Sequence, residues 1–313
     1  MSQLFLEPAA YKQSVVAVPP IALNREGKIA REANCRIMRH IADGGIKTVL
    51  YGGNANLYHF GAEAYREAIV RLFADCPPEL TLLFGIGPDF GKAMDQTADI
   101  LKAEVQNVLL LPMAFPSDPS GVEKGIRLLA DRFRFPLVVY IKRDRYLEPR
   151  AVESLVSDGC VSFVKYAVER EDPENDAYLD ELVAAIGENR IASGMGETPI
   201  ANHIGKRQLS TFTSGAVCIA PAASNELLHV LRSDNEKGVD ELIQPFLEFE
   251  RIRAELGGTA VLHDGITLSG IADCGPLTPL VSNLDRAGLE AIRPAIAGLL
   301  AAEQQARTRA ERV

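Results

Sequence analysis

The chain has no tryptophan and only five cysteines, Cys35, Cys76, Cys160, Cys218 and Cys274. They are odd in number, far apart and without a CxxC pair, which indicates neither a disulfide framework nor a zinc knuckle and leaves most of them as small buried hydrophobes. The five histidines are as scattered, with no HxxxH or HExxH spacing, so no metal site is expected. Long apolar runs are also missing. No segment approaches the roughly 20 residues of a spanning helix, and the start, MSQLFLEPAAYKQS, lacks the basic n-region and apolar h-region of a signal peptide, so the expected location is the cytoplasm. Excess positive charge is absent too. Lys and Arg number 33 against 42 Asp and Glu, a net charge of −9, which disfavours a nucleic acid or an anionic membrane as partner.

What is there is a globular composition, 47% hydrophobic and 24% charged over 313 residues, with room for one barrel of about 250 residues and an extension. Short apolar runs alternate with amphipathic stretches, the pattern of repeated βα units on a parallel sheet. The expected strands are SVVAVPPI (14–21), KTVLYGG (47–53), LTLLFGIG (80–87), NVLLLPM (107–113), PLVVYI (136–141), VSFVKYAV (161–168), RIASGMG (190–196) and TFTSGAVCIA (211–220). Between and after them, stretches such as REANCRIMRHIADGG, GVEKGIRLLADRF, IANHIGKRQ and SNELLHVLRSDN carry apolar residues at helical spacing. Eight units in a row predict a closed (β/α)8 barrel, a TIM barrel, over residues 1–236 rather than an open doubly wound sheet. An open sheet would want GxGxxG straight after an early strand, and GIGPDFG (85–91) fails that spacing. From 237 to 313 helices follow without strands, which predicts an all-helical C-terminal domain. Its last stretch, AAEQQARTRAERV, has no apolar stripe beyond alanines and reads as a solvated, fraying end.

In such a barrel the active site lies at the C-terminal ends of the strands, above layers of branched apolar residues. Polar residues inside or just past strand patterns are therefore informative, and there are three: Asn54, Tyr140 and Lys165. Lys165 sits between Val164 and Tyr166 in a run too apolar for a surface strand. Burial lowers an ammonium pKa and yields the free amine that attacks carbonyls; the competing reading is a strand-end lysine paired with a carboxylate. Tyr140 is one strand earlier, hence beside Lys165, where its hydroxyl could move protons or merely be satisfied in the core. Lys142, Arg143 and Arg145 follow strand five, able to clamp a carboxylate or simply solvated. The segments SGMGE (193–197) and TSGAVCIAP (213–221) suit anion binding by backbone amides, or only tight turns; Gly194 and Ala216 are the residues expected to meet substrate there.

Taken together, PLVVYI with Tyr140 and, 25 residues on, VSFVKYAV with Lys165 resemble the catalytic strands of the dihydrodipicolinate synthase and N-acetylneuraminate lyase family of class I aldolases. The resemblance extends from about residue 14 to 300 and takes in the glycine-rich loops and GPLTPLVSNLDRAGLEAIRPAI (275–296). It implies a Schiff-base lyase: Lys165 condensing with pyruvate or a related 2-oxo acid and Tyr140 moving protons. Gly52, Gly53, Asn54, Gly194 and Ala216 would lie around the substrate, with Arg145 on its distal part. It implies no organic cofactor or metal, and a homo-oligomer, tetramer or dimer.

Departures cluster around the proton relay. YGGNANLYHF (51–60) replaces the family's Gly-Thr-Thr-Gly-Glu or Gly-Ser-Asn-Gly-Glu: Asn54 could stand in for the second hydroxyl residue, but Gly53 offers no side chain and Asn56 replaces the acid. LPMAFPSDPSG (111–121) has Met113, Ala114 and Phe115 where synthases carry a tyrosine pair. Dihydrodipicolinate synthesis itself is therefore not expected, since a positioned proton transfer is worth about 10²- to 10⁴-fold in rate. Tyr58 and His59 could substitute as acid or base, or only pack. A sugar-acid dehydratase, for which Arg143 and Asp144 speak weakly, and a non-catalytic 2-oxo-acid-binding regulator are the alternatives.

Overall fold

The computed structural model describes residues 5–233 and 238–312. The boundary expected at 236/237 lies outside them.

All eight expected strands form: β1 (Val16–Ala17), β2 (Thr48–Tyr51), β3 (Thr81–Ile86), β4 (Val108–Leu110), β5 (Leu137–Ile141), β6 (Val161–Tyr166), β7 (Ile191–Ser193) and β8 (Thr211–Ser214). They close in sequence order into a barrel, all pairs parallel, with β8 returning to β1. Side chains alternate across each strand. On β5 and β6, Val138 and Phe163 join the interior cluster of Val16, Val18, Leu50, Leu83, Leu109 and Ala192, while Val139, Ile141, Val164 and Tyr166 face the helices. Two residues beyond Val138 and Phe163, on the same parity, come Tyr140 and Lys165, which are register partners. A 3-10 turn at Pro8–Gln13 closes the other end of the barrel, with Tyr11 stacked on Phe163 at 3.9 Å between ring centroids.

The outer helices are α1 (Arg31–Asp43), α2 (Ala62–Ala74), α3 (Phe90–Lys102), α4 (Pro119–Phe133), α5 (Pro149–Ser157), α6 (Ala177–Ile186) and α7 (Pro221–Arg232). Local chemistry sets their ends. Asp118 accepts from the Gly121 N–H at the start of α4, where Pro119 needs no partner, and α4 buries Ile126, Leu129, Ala130 and Phe133 at helical spacing. The stretch expected as a helix at 200–208 winds instead as a wide π-type turn, Ala201–Lys206, which puts His203 Nδ1 2.9 Å from Ser193 Oγ.

The C-terminal part is helical as expected: α8 (Val239–Leu256), α9 (Gly258–Leu268) and α10 (Arg286–Ala310). The fraying tail is a correction. Helix α10 runs to Ala310, and Ala306 and Glu303 are buried. Glu303 Oε2 accepts from the backbone N–H groups of Ala222 and Ala223, capping α7 from outside, and Arg309 grips Glu226 with two hydrogen bonds of 2.7 Å. A tail without large apolar residues is thus held by its polar ones. Among the described residues no helix is long and apolar enough to cross a membrane.

Candidate active site

At the C-terminal ends of the strands the barrel opens into a cavity of about 820 Å³. Lys165 forms part of its floor and is only 6% exposed. Its Nζ donates to the Gly194 carbonyl at 3.2 Å and lies 3.6 Å above the centre of the Tyr140 ring. No carboxylate pairs with it among the described residues, so the ion-pair reading of this lysine fails. Burial drives its pKa well below the usual lysine value, and the nearby charges of Lys142 and Arg253 lower it further. The amine is thereby biased toward its neutral, nucleophilic form.

Gly194 makes this approach possible. A Cβ there would stand 2.7 Å from the Tyr166 carbonyl oxygen, 2.8 Å from Ala167 Cβ and 3.1 Å from Lys165 Cγ, so any larger residue would push the lysine aside. Tyr140 has its hydroxyl pKa raised chiefly by burial, so it stands as a proton donor at neutral pH. Behind the site, outward-facing Tyr166 donates to Asp176 at 2.6 Å, and Asp176 also caps α6 and pairs with Arg170 at 3.0 Å. This fixes β6 against the helix layer.

Gly52, Gly53, Asn54 and Gly194 line the cavity, as do Tyr58 and His59. Two expected residues do not. Arg145 points away from the cavity: its guanidinium makes hydrogen bonds of 2.7 and 2.6 Å to Glu181 on α6 and covers the Tyr178 ring. Two carboxylates nearby, Glu181 and Glu148, outcompete a site it would have to reach across the loop. Ala216 is completely buried in the core outside the barrel, because the chain turns at Gly215 into the 3-10 helix Ala216–Cys218; Gly215 lines the cavity in its place.

Sequence reasoning missed Arg253 and Glu250. Both come from α8 and line the cavity, so its wall is not confined to the barrel. Arg253 donates through Nη1 to Glu250 Oε1 at 2.7 Å, through Nε to the Gly258 carbonyl at 3.2 Å and through Nη2 to Asn54 Oδ1 at 3.3 Å. Asn54 in turn donates to the Val18 carbonyl at 2.9 Å, so its amide is a support for Arg253 rather than a free group. A signal existed: Phe246, Phe249 and Arg253 fall at i, i+3 and i+7, which puts a guanidinium on the buried stripe of α8. Asn56 donates to the Thr278 carbonyl at 3.2 Å and so ties the loop after β2 to the segment after α9. Among the described residues no three His, Cys, Asp or Glu side chains converge as a metal site.

Fold and site together define a (β/α)8 barrel with a helical extension and a buried, unpaired lysine at the end of its sixth strand. Among solved structures the chain is similar to dihydrodipicolinate synthase from Bacillus clausii, at TM-score 0.80 and 21% identity over 95% of this chain and 99% of that one. It is similar also to the enzyme of that name from Oceanobacillus iheyensis, at TM-score 0.79 and 18% identity over 95% and 99% of the two chains. The 4-hydroxy-tetrahydrodipicolinate synthase of Methylacidiphilum fumariolicum gives TM-score 0.81 and 16% identity over 95% and 98%. The chain therefore shares the fold of these proteins, a (β/α)8 barrel with a C-terminal helical extension. No family model and no curated protein sequence matches it.

Proposed function

We propose that this protein is a member of the dihydrodipicolinate synthase and N-acetylneuraminate lyase family and acts as a class I lyase on pyruvate or a related 2-oxo acid. The observation that carries the reading is Lys165: a buried amine with a depressed pKa and, among the described residues, no carboxylate partner, open to a cavity at the end of β6. Its lone pair attacks the ketone carbon, the carbinolamine oxygen leaves as water, and the protonated imine then draws electrons from the adjacent carbon. Cleavage of a carbon–carbon bond at that carbon, or loss of its proton, gives the enamine, and the enamine then takes up a proton, adds to an electrophile or expels a leaving group. The Tyr140 hydroxyl supplies and recovers protons at the forming imine. No metal or organic cofactor takes part in these steps. Assembly into a homo-oligomer, a cytoplasmic location and a division into a barrel of 1–236 and a helical domain of 237–313 belong to the same proposal.

Synthesis of dihydrodipicolinate itself is not part of it. Met113, Ala114 and Phe115 carry no relay hydroxyl, and none of the three lines the cavity around Lys165. The test is reductive trapping. Incubation with pyruvate and borohydride, followed by digestion and mass spectrometry, is expected to yield a reduced pyruvyl adduct on the peptide carrying Lys165. Absence of an adduct with every member of a panel of 2-oxo acids would overturn the reading.

A further inference from the structure

Beneath the cavity wall lies a carboxyl group that the proposed chemistry does not use. Glu197 follows the turn after β7 and is completely buried, and neither of its oxygens has a well-formed hydrogen bond. Its neighbours Gly196 and Thr198 line the cavity. Gly196 is the contact point with α8. Its φ of +66° favours glycine, and a Cβ there would stand 2.9 Å from the Glu250 carboxyl carbon, so a larger residue would displace the Glu250 side chain.

The charged and titratable groups facing Glu197 are Glu250 and Arg253 of α8, with the Ser214 hydroxyl of β8 and the Cys218 thiol just after it. A buried carboxylate beside another, without a compensating partner, is strongly disfavoured. Burial first and the Glu250 charge second raise the Glu197 pKa to about 8, against the smaller pull of Ser214 and Arg253. With Glu197 neutral, Arg253 and Glu250 form a pair of no net charge whose side chains are 13% and 14% exposed. Of the five guanidinium N–H groups, three are engaged, by Glu250, Gly258 and Asn54, which leaves two.

We propose that Arg253, supplied by a helix outside the barrel, is the anion anchor for the substrate carboxylate, and that Glu197 is its positioning residue, a buried neutral acid that keeps the surrounding charge from turning negative. This rests on the Schiff-base reading for the identity of the ligand. The substrate class it specifies is a 2-oxo acid held by charge as well as by its ketone, with Arg253 working where Gly53 offers no side chain. Ionisation of Glu197 turns the group of Arg253, Glu250 and Glu197 from neutral to a net charge of −1, and the anchor then repels carboxylates.

The test compares pyruvate with its uncharged methyl ester as ligands of the full-length protein, reading the concentration for half-maximal trapping by cyanoborohydride. The ratio of the two cancels the common dependence on Lys165. Arg253→Met is expected to raise the pyruvate value about tenfold or more relative to the ester value, any change through Lys165 being common to both. In the wild type the preference for pyruvate is expected to fall from about pH 6.5 to about pH 9, and Glu197→Gln, nearly isosteric and unable to ionise, to hold it flat. Equal effects of Arg253→Met on both ligands, or a Glu197→Gln profile that follows the wild type, overturn the proposal. If Arg253→Met does not fold, the Glu197→Gln profile decides. Pyruvate binding by calorimetry separates the two readings: binding that depends on Arg253 without an adduct removes the imine and keeps the anchor, and absence of both removes both.

Discussion

The Nζ of Lys165 rests 3.6 Å above the centre of the Tyr140 ring, so the amine meets the face of its neighbour and not its hydroxyl. The two residues are register partners on adjacent strands, and their inward parity puts them on one layer. A ring face stabilises the ammonium form, yet burial and the charges of Lys142 and Arg253 prevail and the pKa falls. Tyr140 therefore contributes in two separable ways, as a surface under the amine and as a proton donor.

Tyr140→Phe separates them. It keeps the ring and removes the hydroxyl, so the trapped adduct is expected to persist, while exchange of the pyruvate methyl protons in heavy water, followed by NMR, slows by about 10²- to 10⁴-fold. Exchange at the wild-type rate would remove the proton-transfer role.

Lys165→Met replaces a buried amine with an apolar side chain of similar length. The adduct is expected to vanish while the Tm, measured by thermal denaturation, does not fall, because the lysine is held by burial against its charge rather than by an ion pair. A marked loss of stability would instead give Lys165 a structural role.

Arg145→Ala is expected to leave trapping with pyruvate at the wild-type level. Its partner Glu181 is about as exposed as itself, 45% against 42%, so solvent screens the pair and the urea denaturation midpoint should hardly move. A large rise in the pyruvate requirement would return Arg145 to the site.

His203 is buried against Ser193 on β7, and burial, with the Arg207 charge adding to it, lowers its pKa to about 4. Since the folded value lies below the unfolded one, the unfolded chain binds the proton first. The neutral ring then contributes stability above about pH 6.5 that is lost as pH falls toward about 4. Denaturation midpoints across that window should drop more steeply in the wild type than in His203→Gln. Parallel slopes would exclude this contribution.

Glu303→Ala removes the acceptor that caps α7 from α10. The orphaned N–H groups of Ala222 and Ala223 predict a loss of about 1–2 kcal/mol in urea denaturation. A change within about 0.5 kcal/mol would show that water caps α7 equally well.

Much of this architecture could be read along the chain. Strand and helix patterns are local periodicities, and in PLVVYI and VSFVKYAV the polar residue is conspicuous because every neighbour is apolar. Arg145 and Ala216 went astray for a different reason: both stand at plausible offsets from a strand, but offset does not say which way a loop turns. Arg145 turned to Glu181 and Ala216 into the core after Gly215.

The order of eight βα units, the parity that sends Tyr140 and Lys165 inward, and the helical character of the C-terminal part were determined by the sequence alone. Each depends on residues close together in the chain and on a period of about 2 or 3.6. Only the tertiary structure decided that the amine of Lys165 has no carboxylate partner among the described residues, that Arg253 and Glu250 of α8 reach the cavity wall, that Glu197 is sealed without a well-formed hydrogen bond, and that the alanine-rich end of α10 caps α7. Those are pairings between residues tens to hundreds of positions apart. Which charges meet, and how far burial moves them, is set by the packing of whole elements against one another, and no local pattern contains it.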